Sequence, residues 1–167
     1  MKYRSLWIIV VFSITALGFS FFGSTEMPEP EGEAFWTYIA ETHPYTEWDQ
    51  WPGHTGMHPG QSPHGAFLKV YVNNAAKKAI EDGKMMMPEG AIVVKENYAK
   101  DKETLAAVTP MYKAEGFNPD AGNWFWAKYK ADGSVLASGK VEGCIDCHSK
   151  VKDKDWLFTW ADKEEMK

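Results

Sequence analysis

Two cysteines in 167 residues are too few for a disulfide-stapled scaffold, and a structural zinc site would want a second cysteine pair. Basic residues are dispersed and the net charge is −5, so the basic stripe that a nucleic-acid binder presents is missing. Nucleic acid is therefore excluded as a partner. No internal repeat runs through the chain, and Met85-Met86-Met87 is the only low-complexity tract. Long apolar runs are also scarce. Only Ser5 to Phe22 is uncharged and mostly apolar, at the short edge of the roughly 17–25 residues that a membrane helix needs. What is present suffices for a packed core: hydrophobic residues make up 44% and aromatics 14% of the chain.

Lys2 and Arg4 precede that run, in the order of a secretory signal. Its small-x-small cleavage pattern is poor, with Ala16-Leu17-Gly18 the best match and bulky Phe19, Phe21 and Phe22 beyond it. No lipobox cysteine is available, because both cysteines lie far downstream. Residues 1–23 read as a signal peptide or a retained anchor through 5–22, and the expected location is periplasmic or otherwise exported. Residues 24–33, rich in Pro, Glu and Gly, read as a linker, and residues 34–167 as one domain.

Within that domain Phe35, Trp36, Ile39 and Ala40 share a helical face, and His43-Pro44 interrupts it. Trp51 to Gly65 is a loop rich in histidine, glycine and proline. Ala66 to Val72 alternates as a strand, with Leu68, Val70 and Val72 on one face. Asn74 to Asp82 is a short helix stopped by Gly83. Ala91 to Tyr98, Thr104 to Val108 and Asn123 to Tyr129 are further strands, and Asp132-Gly133 turns into Val135 to Ser138. Turns rather than long crossovers join them. The expected fold is mainly β, or α+β: an antiparallel sheet with peripheral helices and a C-terminal cysteine–histidine motif.

That motif is Cys144-Ile145-Asp146-Cys147-His148, the C-x-x-C-H of c-type haem attachment. Two thiols three residues apart can each add to one vinyl group of a single porphyrin, and the adjacent histidine then ligates its iron. In a shuffled chain of this composition the cysteines fall three apart about once in eighty, with histidine next about once in thirty, so chance gives the motif roughly once in a few thousand. A thioredoxin-like pair would want a βαβ setting, and a disulfide across the loop would leave His148 unexplained. Export agrees with the motif, since haem is attached to cytochromes c outside the cytoplasm. One covalently held haem c is the expected cofactor, on Cys144 and Cys147 with His148 as axial ligand.

Further residues carry a family resemblance. The succession Lys69-Val70-Tyr71-Val72-Asn73, Gly90-Ala91-Ile92-Val93-Val94-Lys95-Glu96, Gly122-Asn123-Trp124 and then Cys144 to His148 resembles the cytochrome P460 family, which includes the cytochromes c′-beta. The likeness covers roughly Phe35 to Phe158. It implies a mostly antiparallel β fold, a homodimer and one five-coordinate haem c with an open distal side. It also implies either oxidation of hydroxylamine or binding of nitric oxide and similar diatomics. The redox partner protein is not implied. The oxidising members bond a lysine to the porphyrin, and Lys95 matches that position. Alternation puts Lys95 on one face with Ala91 and Val93 and Glu96 on the other, although a strand lysine can also snorkel to solvent. Those enzymes carry a distal glutamate about ten to fifteen residues beyond the lysine, acting as proton acceptor. Here that stretch is Ala106-Ala107-Val108-Thr109-Pro110-Met111, without a carboxylate, and Glu115 beyond it is the nearest candidate. Val108, Met111 and His64 are the expected distal-pocket residues, and an apolar wall suits a neutral diatomic.

His43, His54, His58 and His64 lie in one loop region, where solvated or hydrogen-bonded imidazoles are the ordinary outcome; His64, just before a strand, is the one placed to reach the haem edge. Met85 to Met87 or Met111 could instead supply a thioether ligand, though methionines more often fill cores. Trp124, Phe125 and Trp126 read as sheet and pocket packing. Two functions follow: a haem protein that binds or converts small nitrogen species, or an electron-transfer cytochrome with a methionine or histidine sixth ligand.

Overall fold

The computed structural model describes residues 27–159, so the expected leader lies outside the described residues. Among the described residues no helix is long and apolar enough to cross a membrane. The first helix, α1 (Gly32–Thr37), begins where the Glu31 carboxylate accepts the backbone N–H groups of Glu33 and Ala34. The expected linker therefore stops two residues short of Glu33, because Gly32 and Glu33 already form the first turn. A π-helical turn over Tyr38–Thr42 continues the helix, which ends at His43 before Pro44 as the sequence suggests.

Seven strands form one antiparallel sheet: β1 (Asp49–Gln50), β2 (His58–Pro59), β3 (Phe67–Val72), β4 (Ile92–Tyr98), β5 (Leu105–Lys113), β6 (Trp124–Tyr129) and β7 (Val135–Gly139). The order is β1-β3-β4-β5-β6-β7, with β2 beside β1 on the outer edge of β3. Helix α2 (Asn74–Glu81) follows β3, and α3 (Glu142–His148) follows β7. The mainly β, α+β architecture is as expected.

Strand β5 runs five residues past its expected end, straight through Pro110. A proline inside a sheet removes one ladder donor. The sheet accommodates it because β5 pairs with β6 at Val108 and again from Met111 onward, leaving no pair at Thr109 or Pro110. This gap in the ladder borders the site described below.

Each face of the sheet carries its own core. On one side Val70, Val72, Val93, Met111, Trp124 and Trp126 pack against α2, the α3 region and Leu157. On the other, Phe35 and Ile39 of the N-terminal helix cover Tyr71, Ile92, Val94, Val108, Phe125 and Tyr129. The alternation of β4 distributes Val93 and Lys95 to the first side, and Ile92, Val94 and Glu96 to the second.

Candidate functional site

The C-x-x-C-H motif is helical. Cys144 and Cys147 stand three residues apart in α3, so both project from one side of it. Both thiols are free and half-buried, and burial pushes the Cys144 thiol up. His148 closes the helix and is buried. Its Nδ1 lies 2.6 Å from the carbonyl oxygen of Trp156. A carbonyl can only accept, so Nδ1 carries the proton and Nε2 keeps its lone pair. Trp126 and Phe158 hold the ring edge-on, with centroids 4.7 and 5.1 Å away. Burial drives the imidazole down to about pH 4, against the Trp156 bond, and the charge of Lys95 adds to the depression. His148 is thus a neutral imidazole held in one orientation, with its Nε2 lone pair free to bind.

The carbonyl that orients it sits in a strained turn. Asp155 and Trp156 both have left-handed backbones, with φ of 51° and 65°, each costing of order 1–3 kcal/mol. Asp155 is held from several directions. Its carboxylate accepts the Lys113 ammonium at 2.6 Å and the Met87 N–H at 2.7 Å, and its carbonyl accepts the Trp124 indole N–H at 3.0 Å. Lys113 also lies over the Trp124 ring. Sequence reading missed this support, because a backbone carbonyl has no sequence signature.

Two adjoining cavities, about 300 and 160 Å³, meet beside His148. Both are lined by Pro63, His64, Lys95, Cys147 and His148, and the larger also by Cys144, Met111 and Trp126. The structure therefore brings together Cys144, Cys147, His148, Lys95, Met111 and His64. Lys95 is buried rather than turned out to solvent.

Val108 is not among them. It lies on the opposite face with Phe35 and Tyr129, because β4 pairs Val93 with Met111 and Lys95 with Thr109. That register turns Thr109 and Met111 to the cavity side of β5, with Pro110 between them at its edge, and Thr109 takes the place expected for Val108. Glu115 is exposed in the turn after β5 and lines neither cavity. The other loop histidines separate: His43 stacks on Tyr38, and His54 meets His58, which borders the smaller cavity. Met85 and Met86 are exposed and Met87 is core.

His64 is anchored through Asn97, which sequence reading overlooked although it shares the Lys95 face two residues on. Asn97 Nδ2 donates to the Lys95 and Ala107 carbonyls and to Thr109 Oγ1. Its Oδ1 accepts the Gly65 N–H at 3.2 Å and faces His64 Nδ1 at 3.0 Å. Gly65 has to be glycine for this approach, since a Cβ there would stand 2.6 Å from the Tyr98 backbone nitrogen.

A c-type haem fits this donor set. Two free thiols on one helix side and a histidine with a bare Nε2 line the same space. The Trp126 indole N–H, at the wall of the larger cavity, finds no acceptor among the described residues. The site so built falls within a region recognised by comparison: the model of the family described as Cytochrome P460 matches residues 44–159. No curated protein matches the chain.

Proposed function

The chain belongs to the cytochrome P460 family, a family of haem cytochromes, and from that premise we propose that it binds small uncharged nitrogen species such as nitric oxide. The haem would be held covalently by Cys144 and Cys147, with His148 on its iron. When bound, the haem supplies an iron that takes a small ligand and changes oxidation state. The chain's own residues hold and shield it. Trp156 keeps the His148 lone pair on Nε2, Trp126 and Phe158 fix the ring, and Met111 and Val93 keep the larger cavity dry.

One observation carries the choice of binding over oxidation: no carboxylate lines either cavity among the described residues. Oxidation of hydroxylamine sheds protons as electrons leave, and general-base catalysis is typically worth about a hundred- to ten-thousandfold. A specific observation favours the oxidising reading as well, since Lys95, the match to the cross-linked lysine, is buried against both cavities.

The two readings separate experimentally on the purified holoprotein. Nitric oxide titration should shift the haem bands stoichiometrically, and hydroxylamine turnover should be slow. A protein that ignores nitric oxide sinks the binding reading. Rapid hydroxylamine oxidation, with a porphyrin mass altered by an extra linkage and both lost in Lys95→Ala, would establish the oxidase instead. In either case haem stain should survive denaturation, and the Cys144→Ala/Cys147→Ala double variant should lose it.

A further inference from the structure

Thr109 carries the only side-chain hydroxyl among the described residues that line the larger cavity, where its neighbours in the wall include Val93, Pro110 and Met111. It stands opposite Lys95 in the β4–β5 ladder and, with Pro110, where β5 has no partner in β6.

Where its proton goes follows from its two polar neighbours. A hydroxyl has one proton to give and two lone pairs that accept. Asn97 Nδ2 lies 3.0 Å from Thr109 Oγ1 and also reaches the Lys95 and Ala107 carbonyls, each at 3.1 Å. Carbonyls only accept, so the amide must turn its NH2 group toward them, and that nitrogen takes no proton. Thr109 therefore accepts from Asn97 and cannot donate to it. The other neighbour is His64 Nδ1, at 3.5 Å. That nitrogen is 3.0 Å from Asn97 Oδ1, an acceptor with no proton of its own. So close a contact requires a proton on Nδ1, and a ring nitrogen that carries one does not accept. This holds for a neutral imidazole and for a charged one alike. Neither neighbour can take the Thr109 proton, and the direction left to it is the cavity.

Other side-chain donors border the same cavity. The Trp126 ring packs edge-on against His148, with centroids 4.7 Å apart, and so lies on that imidazole's side. Lys128 is exposed. The Lys95 nitrogen is the one that the family resemblance assigns to the porphyrin. Thr109 lies two residues along β5 from Met111, the partner of Trp126, about 6.7 Å at the rise of a strand.

We infer that the Thr109 hydroxyl is the hydrogen-bond donor to a ligand on the haem iron and selects ligands whose outer atom is an oxygen with lone pairs. The inference rests on the haem reading above and makes Thr109 a specificity-determining residue of that site. Nitric oxide, bound through nitrogen, presents such an oxygen; a ligand that ends in a methyl group gains nothing from the hydroxyl. The hydrogen bond forms as the ligand binds, and no covalent bond, electron or proton is transferred in making it.

The test uses carbon monoxide on the ferrous holoprotein, read by its infrared stretch. A donor to the ligand's oxygen draws electron density from the iron into the carbon–oxygen antibonding orbital and lowers the frequency. Thr109→Val keeps the shape and removes the hydroxyl, so the stretch should rise, and Thr109→Ser should return it to the wild-type value. Carbon monoxide and nitric oxide should leave Thr109→Val about two- to tenfold faster, the range of one neutral hydrogen bond. Methyl isocyanide, whose outer carbon cannot accept, should be held as tightly by the valine variant as by wild type. A stretch that does not move in Thr109→Val would overturn the assignment, and movement in Lys95→Met or Trp126→Phe instead would pass the role to that donor. Equal losses for carbon monoxide and methyl isocyanide would overturn it too, since lost packing would then be the cause. A displaced stretch in a protein that ignores nitric oxide would uphold the donor and sink the proposed function alone. A holoprotein that takes neither gas would overturn both.

Discussion

Lys95 and Glu96 are neighbours on β4, both ionisable and both buried, yet they belong to different chemistries because a strand sends adjacent side chains to opposite faces. On the aromatic side, the Glu96 carboxylate accepts three tyrosine hydroxyls, from Tyr98 at 2.8 Å, Tyr45 at 3.2 Å and Tyr71 at 3.3 Å. Rings close around it and exclude water, so this face is a finished polar cluster inside a packed core. On the other face Lys95 borders two cavities with a pair of neutral imidazoles. There the Trp126 indole N–H has no acceptor among the described residues, and the β5–β6 ladder opens at Pro110. One face is built to be complete in itself, the other to receive something.

The largest effect should come from the buried Lys113–Asp155 pair on the receiving face. Asp155→Ala strands the buried Lys113 ammonium, and breaking such a pair costs roughly 3–5 kcal/mol. Chemical denaturation should show that loss, and the haem bands should shift as well, because the Trp156 carbonyl loses its support. A drop below about 1 kcal/mol would mean that the pair is solvated and does not anchor the turn.

Glu96→Leu tests the opposite face. It leaves the buried Tyr45 and Tyr71 hydroxyls without their acceptor, at about 1–3 kcal/mol for each unsatisfied group; with the low end of that range for each, a total of about 2–3 kcal/mol is expected. The haem spectrum should not move. A spectral change equal to that of Asp155→Ala would contradict the independence of the two faces.

Gly65→Ala links them. The added Cβ meets the Tyr98 backbone at 2.6 Å and must lift the loop that carries His64. Overpacking of this kind costs about 1–3 kcal/mol. Stability should fall modestly, while the haem bands shift out of proportion to it, because the loop that carries His64 lines the cavities.

The smallest effect is an alkaline one. Burial first, then the charge and hydrogen bond of Glu96, raise the Tyr45 and Tyr98 phenols above their ordinary value near 10. Folded protein thus keeps protons that the unfolded chain releases. This contribution is complete below about pH 10 and is lost as pH rises through and above it, since the unfolded state then binds fewer protons. Ultraviolet titration should find these phenols silent until the protein unfolds, and normal ionisation near 10 would refute the buried cluster.

Local order determined a good deal of this protein. The Cys144, Cys147 and His148 set is contiguous, so its chemistry is legible in five residues. Period-two alternation separates Lys95 from Glu96 without knowledge of any partner strand. Turn residues and apolar alternation also forecast an antiparallel sheet, and α1 and β5 differ from expectation only at their ends. Register is another matter. Whether Val108 or Thr109 faces the cavity depends on which β5 residue meets Lys95, and backbone pairing across strands is set by the whole sheet rather than by either segment. The same holds for His64, one of four loop histidines alike in local setting. Only the approach of Gly65 to β4 lays its ring on Asn97 and opposite a helix eighty residues later in the chain. The Trp156 carbonyl that orients His148 belongs to every residue type equally, so its role was decided entirely by the turn that packing imposes.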